Sequence, residues 1–406
     1  SYRLAARRGA MDMPACDTRA MLVALGYIDA AGHVVGKPDV IDWRIRLLSV
    51  LERCQQFFDF SDTPMTVDQG HEGAFLMGVV MAPSDFGLTT QETAPISAGG
   101  RGLSAQAALE GCLCEAAERL SLYDYAPGGP AFVGHDLSSH SAVNFARDKV
   151  LKPLQTTATR FPAVSSAGCG SGPHFDIAVA SGLLELVERD AVALWWHGGR
   201  QGGSADDLAH LLAAPFGPSA ANGINRWRWF LDITTDIGVP VIAAVSAKAD
   251  GKGVVVAAAA AWDRKTAAHK AALELAQMEF SATLAEVKSR SRRPSTGEMA
   301  PHDQIWLSRL TSHDAKAHKI FHPHSGKSEM PDGTLTQKEL LKRLGRDGKG
   351  VSVIDLTLPS IGIPCARVIA PRLQAMGRGA ETTERLAKAR STPGAVFPPS
   401  DWPTPI

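Results

Sequence analysis

The sequence has few of the features that mark a secreted, membrane-spanning or nucleic-acid-binding protein. Its six cysteines are scattered without C-x-x-C spacing, which indicates neither a disulfide framework nor a zinc site. Apolar runs such as residues 254–262 are far shorter than the roughly 20 residues that cross a bilayer. No secretion signal is evident, and 42 basic residues balance 42 acidic ones. We therefore expect a cytoplasmic protein that binds any anionic ligand at a local site.

The composition is that of a globular enzyme, with 45% apolar and 21% charged residues in a chain of 406. Changes in composition along the chain predict three parts: a peripheral segment (1–72), a core rich in Gly and Ala (73–372) and a Pro-containing tail (373–406). Within the core, polar and basic residues 290–350 predict an exposed excursion. Periodicity predicts helices at 42–58, where Ile45, Leu48 and Leu51 would form one face, and at 264–289. Buried strands are predicted at 73–82, 228–233, 240–247, 253–262, 350–358 and 364–371.

Two glycine-rich stretches precede further helices. Residues 96–104 and 165–176 are interpreted as turns, with Ser104 and Asp176 as candidate N-caps. Their glycines, at 98–102 and 168–172, would expose backbone N–H groups to an anion. These turns therefore predict two places where a phosphate could bind.

Three helices share one pattern in which small residues precede acidic or amide residues on the same helical face. The sets are Ala108, Gly111, Glu115 and Glu118; Ala178, Ser181, Glu185 and Glu188; and Ala267, Lys270, Glu274 and Gln277. Clustered carboxylates in apolar surroundings need a countercharge, and their hard oxygens suit Mg²⁺ completed by nucleotide phosphates. A single copy would more simply be a solvated face whose glutamates pair with their own arginine. Three copies favour a shared acidic site.

Around these helices the sequence resembles the YcaO family of ATP-dependent enzymes that activate peptide backbone amides. The resemblance is carried by "GGRGLSAQAALEGCLCEAAERLSLY" (99–123), "SSAGCGSGPHFDIAVASGLLELVERDAVALWW" (165–196), "AALELAQME" (271–279) and "SIGIPCARVIAP" (360–371). It implies an α+β fold with mixed and antiparallel sheets, in which acidic helices enclose a nucleotide.

The resemblance also implies the ligands and the residues that hold them. ATP and Mg²⁺ are the implied cofactors, with Mg²⁺ on Glu115, Glu118, Glu185, Glu188 and Glu274. Nucleotide contacts are implied for Gly111, Ser181, Lys270, Glu274 and Gln277. Relatives often have serine where Gly111 stands and arginine where Lys270 stands, so two contacts would differ here.

The implied reaction joins a Cys, Ser or Thr side chain of a peptide to the preceding carbonyl and transfers the γ-phosphate to the resulting oxyanion. Loss of phosphate would leave a thiazoline or oxazoline ring. With an external sulfide or amine the product would be a thioamide or an amidine, and a non-catalytic nucleotide-binding subunit is a further alternative. Azoline-forming relatives often end in Pro-x-Pro-x-Pro. Here Pro403 and Pro405 fit before the terminal Ile406, but Asp401 replaces the third proline.

The implied partners are a precursor peptide, a separate leader-binding protein and a flavin dehydrogenase. A homodimer is also considered, with Trp195 and Trp196 as interface anchors or core residues. Cysteines 112, 114 and 169 are interpreted as core residues rather than nucleophiles, and the histidines at 318, 322 and 324 as surface-loop residues rather than metal ligands.

Overall fold

The computed structural model describes residues 18–61, 73–154, 166–216, 222–223, 226–291, 301–324, 335–345, 350–375 and 382–405. The chain divides into two compact units, each built from three segments. Unit 1 comprises Ser1–Ser61, Phe75–Leu183 and Gly350–Ala370, and unit 2 comprises Asp62–Ala74, Leu184–Lys349 and Pro371–Ile406. The segment boundaries predicted from the sequence, at 72/73 and 372/373, stay a prediction.

The described helices are α1 (Thr18–Ala24), α2 (Pro38–Arg53), α3 (Ala105–Ser121), α4 (Arg147–Val150), α5 (Phe175–Trp196), α6 (Ala213–Phe216), α7 (Arg264–Ser291), α8 (Pro301–Ser312), α9 (Gln337–Leu344) and α10 (Glu384–Arg390). The described strands are β1 (Gln56–Asp59), β2 (Phe75–Met81), β3 (Ile96–Gly102), β4 (Tyr123–Asp124), β5 (Phe132–Asp136), β6 (Ala142–Phe145), β7 (Lys152–Pro153), β8 (Cys169–Ser171), β9 (Gly203–Ser204), β10 (Asn222–Gly223), β11 (Arg226–Asp232), β12 (Val241–Lys248), β13 (Val255–Ala260), β14 (Ser352–Asp355) and β15 (Cys365–Ile369). Helix α5 begins in unit 1 and ends in unit 2. None of the described helices is long and apolar enough to cross a bilayer.

Unit 1 contains two antiparallel sheets that both contact helix α3. One sheet has the order β1-β2-β3 and the other the order β6-β5-β14-β15-β8. Helix α3 packs against β2 and β3 of the first sheet and against β8 of the second. Its apolar side, including Leu109, Leu113 and Leu120, is fully buried in the core of this unit. Because its apolar side is packed in this core, the remaining side chains of α3, including the glutamates, have fixed positions.

Unit 2 is built on the antiparallel order β10-β11-β12-β13, with β9 paired to β11. Helix α7 packs across β12 and β13, and α8 packs against α7. The contact is lined by alanines on both sides, such as Ala257 on β13 and Ala271 and Ala272 on α7, all fully buried. Because alanine side chains are short, the helix approaches the sheet closely and the acidic stretch of α7 is held firmly.

The predicted α+β class with antiparallel sheets is confirmed, apart from the short parallel pair β4–β7. The apolar runs predicted as strands form β2 and β11–β15, and the predicted helix at 264–289 is α7. These segments were predictable because each is a short apolar run or a long helical pattern bounded by polar or glycine residues.

Three local predictions are wrong. Residues 96–102 form strand β3 rather than a turn, because their backbone groups pair with β2. The predicted helix at 42–58 ends at Arg53, the next residues enter β1, and Ile45 is exposed. Asp176 lies inside the first turn of α5, so it is not the N-cap. For residues 96–102 and for the end of α2, a strand-pairing partner distant in sequence decided the outcome.

The described part of the predicted exposed excursion is structured and partly buried. It contains α8, a 3₁₀ helix at Lys319–Phe321, and α9. Trp306, Ile320 and Phe321 are buried in unit 2. Polar composition misled the interpretation because the few apolar residues of this stretch are the ones that pack inward.

Candidate functional site

Each acidic helix follows a strand and begins at the same distance from its first glutamate. Ser104 caps α3, its hydroxyl accepting the Ala107 N–H at 3.2 Å, as predicted. The carbonyl of His174 accepts from Ala178 at the start of α5, and Asp263 accepts the Thr266 N–H at the start of α7. Eleven residues separate each of these positions from Glu115, Glu185 and Glu274. The sequence repeat is therefore a repeat of strand, cap and helix.

Glycines let the preceding strands touch the first two acidic helices. A Cβ on Gly100 would lie 2.0 Å from the Ala108 carbonyl oxygen, and one on Gly170 would lie 2.3 Å from that of Ala178. These glycines are therefore required by packing. The Gly99 N–H donates to Glu115 Oε2 at 3.2 Å. The predicted turn at 98–102 is a paired strand, and residues 169–171 of the second glycine-rich stretch form β8; anion binding by either stretch stays a prediction.

The repeated spacing gives the same order of exposure along all three helices. Ala108, Ala178 and Ala267 are fully buried. The next members, Gly111, Ser181 and Lys270, are exposed, and the glutamates and Gln277 are half-buried. Each helix thus offers an open position followed by partly desolvated polar groups, an arrangement suited to a bulky polar ligand lying along it.

On helix α3 the two carboxylates have different partners. Glu115 accepts from its own Arg119 at 2.8 Å, and that arginine is 48% exposed. Glu118 accepts from the Ser171 hydroxyl of β8 at 2.7 Å. The first is a partly exposed ion pair, and the second is a carboxylate fixed against the sheet.

On helices α5 and α7 the carboxylates share one arginine. Arg189 lies 3.6 Å from Glu185 and 3.9 Å from Glu188, whose side chain is only 12% exposed. Burial alone would lower the pKa of Arg189, but the charges of Glu188, Glu185 and Glu274 outweigh it, and the pKa is raised. Arg189 is therefore the internal countercharge of a three-carboxylate group in unit 2.

A second arginine near this group was not identified from the sequence. Arg309 on α8 stacks over the Trp306 ring at 5.3 Å, and its Nε is buried without a hydrogen-bond partner. Burial, and then the charge of Arg189, lower its pKa to about 10. Residue type alone could not reveal this position, because Arg309 lies in the stretch that its composition assigned to the surface.

The donors present fit a magnesium–nucleotide complex. Within the described part of the chain, no three His, Cys, Asp or Glu side chains form a ready-made metal cage. Mg²⁺ is usually held by one or two carboxylates together with phosphates and waters, so it needs no such cage. Paired, half-buried glutamates next to cationic side chains match that donor set.

The C-terminal tail is packed against unit 2. Trp402 stacks with Trp196 and Phe321, and the Pro403 carbonyl accepts from His313 Nε2 at 2.9 Å. Pro405 is buried, whereas the predicted contribution of Ile406 lies outside the described residues. The two described prolines are thus held at the end of helix α5.

The other residues considered from the sequence have structural surroundings. Trp195 and Trp196 are fully buried core residues, and the buried Cys112 and Cys169 also lie in the core. The tryptophan pair is therefore not available as a dimer anchor. His318 packs on Trp402 and donates to the Phe397 carbonyl, so it binds the tail.

Comparison with known proteins identifies the same family over more than half of the chain. Residues 131–374 match the YcaO family model, described as YcaO cyclodehydratase, ATP- and Mg²⁺-binding. The match includes α5 and α7 and begins after α3. No curated protein sequence matches the chain.

Several solved structures share the fold. YcaO from Methanopyrus kandleri bound with AMPPCP and Mg²⁺ has 19% identity and a TM-score of 0.56, covering 84% of this chain and 92% of that one. A heterocyclase in complex with substrate and cofactor has 16% identity and a TM-score of 0.60; the match covers 82% of this chain but only 52% of the heterocyclase. The E. coli microcin synthetase McbBCD complex has 11% identity and a TM-score of 0.56, covering 79% and 88%.

At these identities the likeness shows the fold, while the family match shows membership. The family is one of ATP-dependent cyclodehydratases whose cofactors are ATP and Mg²⁺. This chain, with its repeated acidic helices, belongs to the YcaO family.

Proposed function

We propose that this protein is a cyclodehydratase that uses ATP and Mg²⁺ to form thiazoline or oxazoline rings from Cys, Ser or Thr in a ribosomally made precursor peptide. The observation that supports the proposal most directly is the group of Glu185, Glu188 and Glu274 around Arg189. Partly buried charges lose hydration, which lowers the stability of the fold, and a helix with a purely structural role does not need them.

The proposed ligands follow the repeated positions. Magnesium would be held by Glu115, Glu118, Glu185, Glu188 and Glu274. The nucleotide would contact Gly111, Ser181, Lys270, Glu274 and Gln277. Ser181 and Lys270 are exposed one turn before the glutamates, where a hydroxyl and an ammonium group can reach phosphate oxygens.

ATP and Mg²⁺, when bound, supply the phosphoryl group that activates the amide oxygen and the positive charge that stabilises its transfer. The chain itself binds and orients these groups. Arg189 lies within ion-pair distance of Glu185 and Glu188 and would share these carboxylates with the cation. The exposed alcohol of Ser181 can donate to a phosphate oxygen without leaving the helix face.

The tail is proposed to act in ring formation rather than in nucleotide binding. Thr404 Oγ1 lies 3.5 Å from His197 Nε2, just beyond the end of α5, and Trp196 packs on Trp402. Eight residues of helix, about 12 Å, separate Trp196 from Glu188. Removing residues 401–406 should abolish ring formation and leave nucleotide binding unchanged. Unchanged ring formation would refute the tail's role.

The precursor peptide is proposed to arrive on a separate leader-binding protein, and a flavin dehydrogenase would act on the azoline product. We expect weak turnover by the isolated chain and a large increase when the leader-binding partner is added. Full turnover without it would contradict the need for a partner. A homodimer stays a prediction.

Pro403 and Pro405 stand in phase with the tail of azoline-forming relatives and favour ring formation, but Asp401 stands where a third proline would be, so thioamide or amidine formation is kept as the second candidate. Mass spectrometry of the peptide product, with ADP measured in parallel, separates the candidates. Loss of one water per ring supports the cyclodehydratase, and exchange of oxygen for sulfur supports thioamide formation. Nucleotide binding without any peptide modification, with the partner present, would leave only a non-catalytic role.

A further inference from the structure

Unit 1 contains a buried arginine with almost no polar partner. Arg367 on β15 is 7% exposed, and its Nε is buried without a hydrogen-bond acceptor. Its Nη1 donates to Cys169 Sγ at 3.2 Å. No carboxylate of the described residues lies within ion-pair distance of this guanidinium. A group with five N–H donors is therefore matched by a single sulfur atom, which is a weak acceptor.

This state is costly for the unliganded protein. Buried charges are normally paired, because removal from water is repaid only by an opposite charge and hydrogen bonds. Arg147 in the same unit shows the usual solution, since its guanidinium is bonded to Asp124 at 2.5 Å and 3.1 Å. Arg367 lacks such a carboxylate partner among the described residues, and its Nε has no acceptor.

Sheet geometry places Arg367 on the same face of the β8–β15 pair as Ser171, the residue that donates to Glu118. Arg367 is paired with Cys169, and Cys365 with Ser171, so these four side chains share one face of the β8–β15 pair. Gly170 faces the other way, toward α5. Ser171, a diagonal neighbour of Arg367 at roughly 7–8 Å, donates to Glu118.

The surroundings of Cys365 give a second indication of the same proximity. Burial is the main reason that the pKa of Cys365 is raised, and the charge of Glu118 raises it further. The face of the sheet that carries Arg367 therefore lies under the carboxylate of Glu118.

We propose that Arg367 binds a phosphoryl group beside Glu118. A planar guanidinium matches phosphate oxygens in a bidentate manner, and a phosphate is the anion that a magnesium-binding Glu118 would accompany. The assignment rests on the proposed function for the magnesium role of Glu118. The phosphate belongs either to a bound nucleotide or to inorganic phosphate left after transfer.

The experiment compares Arg367→Met with Arg147→Met in the full-length chain, using thermal unfolding without ligand. Removal of an unpaired buried charge should raise the unfolding midpoint or leave it unchanged. Removal of the paired Arg147 should lower it, because Asp124 loses its partner. A midpoint for Arg367→Met that falls as far as that of Arg147→Met would show a structural role and overturn the proposal.

Binding is then measured by calorimetry with inorganic phosphate and with Mg²⁺ and a non-hydrolysable ATP analogue. Arg367→Met should weaken the binding of whichever ligand the wild-type chain takes up by roughly 10- to 100-fold. Arg147→Met should bind the ligand with the affinity of the wild type. The affinity of Arg367→Lys should lie between those of the wild type and Arg367→Met, because lysine keeps the charge but not the planar guanidinium. The ligand affected identifies the source of the phosphate.

Equal affinity of Arg367→Met and wild type for every ligand that binds would overturn the proposal. Failure of the wild type to bind the nucleotide analogue would refute the proposed function instead. The phosphate titration would then still decide the role of Arg367, and absence of phosphate binding as well would refute that role.

Discussion

Helices α3 and α5 carry the same Glu-x-x-Glu-Arg pattern, seventy positions apart, but their carboxylates are held differently. On α3, Arg119 is half exposed and pairs with Glu115, while Glu118 is fixed by Ser171. On α5, Arg189 is only 27% exposed and is shared by both glutamates and by Glu274. One motif therefore produces a half-exposed arginine paired with one glutamate in one unit, and a more buried arginine close to two glutamates in the other.

The difference suggests that the two helices contribute unequally. In the proposed site, a cation at α5 would compete with Arg189 for Glu185 and Glu188, whereas at α3 it would meet Glu118 bonded to Ser171 and Glu115 paired with Arg119. The family match covers α5 but begins after α3. The following experiments test whether this inequality is functional, from the largest expected effect to the smallest.

Replacing a glutamate on each helix gives the largest contrast. Glu188→Gln should lower the rate of ADP formation with peptide by at least about 100-fold, because a magnesium ligand is lost from the more buried cluster. Glu118→Gln should have a smaller effect, on the order of 10-fold, if its helix supplies the weaker site. Equal losses would show that the two helices contribute equally. The matched control Glu110→Gln changes an α3 carboxylate outside the repeated positions and should leave the rate within about twofold.

The two arginines should differ in their effect on stability. Arg189→Met removes a positive charge that lies close to Glu185 and Glu188, and we expect the free energy of unfolding to fall by about 2 kcal/mol, below the full value for a completely buried pair. Arg119→Met should cost less than about 1 kcal/mol because that pair is exposed. Urea unfolding with and without Mg²⁺ measures both, and Mg²⁺ should restore part of the loss only for Arg189→Met. Equal losses, or no response to Mg²⁺, would contradict the account of Arg189.

The C-terminal tail packs at the end of α5, where the Pro403 carbonyl bonds to His313. Because His313 can titrate, the stability of the folded chain should depend on pH. Burial is the main reason that the pKa of His313 is lowered from 6.5 to about 4. The unfolded chain thus binds a proton between these values while the folded chain does not, so stability is present above pH 6.5 and is lost as pH falls toward 4. Between pH 6.5 and 5 the loss should be about 1–2 kcal/mol.

His313→Gln keeps a donor for the Pro403 carbonyl but does not titrate in this range. Urea unfolding at the two pH values, followed by tryptophan fluorescence, should show a much smaller pH dependence for this variant. The same dependence in both proteins would place the responsible group elsewhere.

The sequence was sufficient for features that are local in the chain. Strands such as β12 and β13 are uninterrupted apolar runs, and the repeated spacing of Glu115, Glu185 and Glu274 is visible by alignment. It was insufficient where a distant partner decides the structure. The glycines of β3 interrupt the alternation of apolar and polar residues that is typical of a strand, so the sequence predicted a turn. Pairing with β2 makes this stretch a strand.

The same distinction applies to the site. Arg119 and Arg189 are adjacent to the glutamates and could be noticed, but their unequal burial depends on the helices packed around them. Arg309 and Arg367 could not have been identified, because the absence of a partner is a property of the tertiary structure. Sequence patterns therefore located the carboxylates and the cations beside them, and the structure was needed to find Arg309 and Arg367.

The most direct test of the central claim is calorimetric titration of the wild-type chain with a non-hydrolysable ATP analogue, in the presence and absence of Mg²⁺. The account predicts uptake of the analogue that requires Mg²⁺ and that is lost in Glu188→Gln. No uptake by the wild type, or uptake of equal strength without Mg²⁺ or with Glu188→Gln, would contradict it.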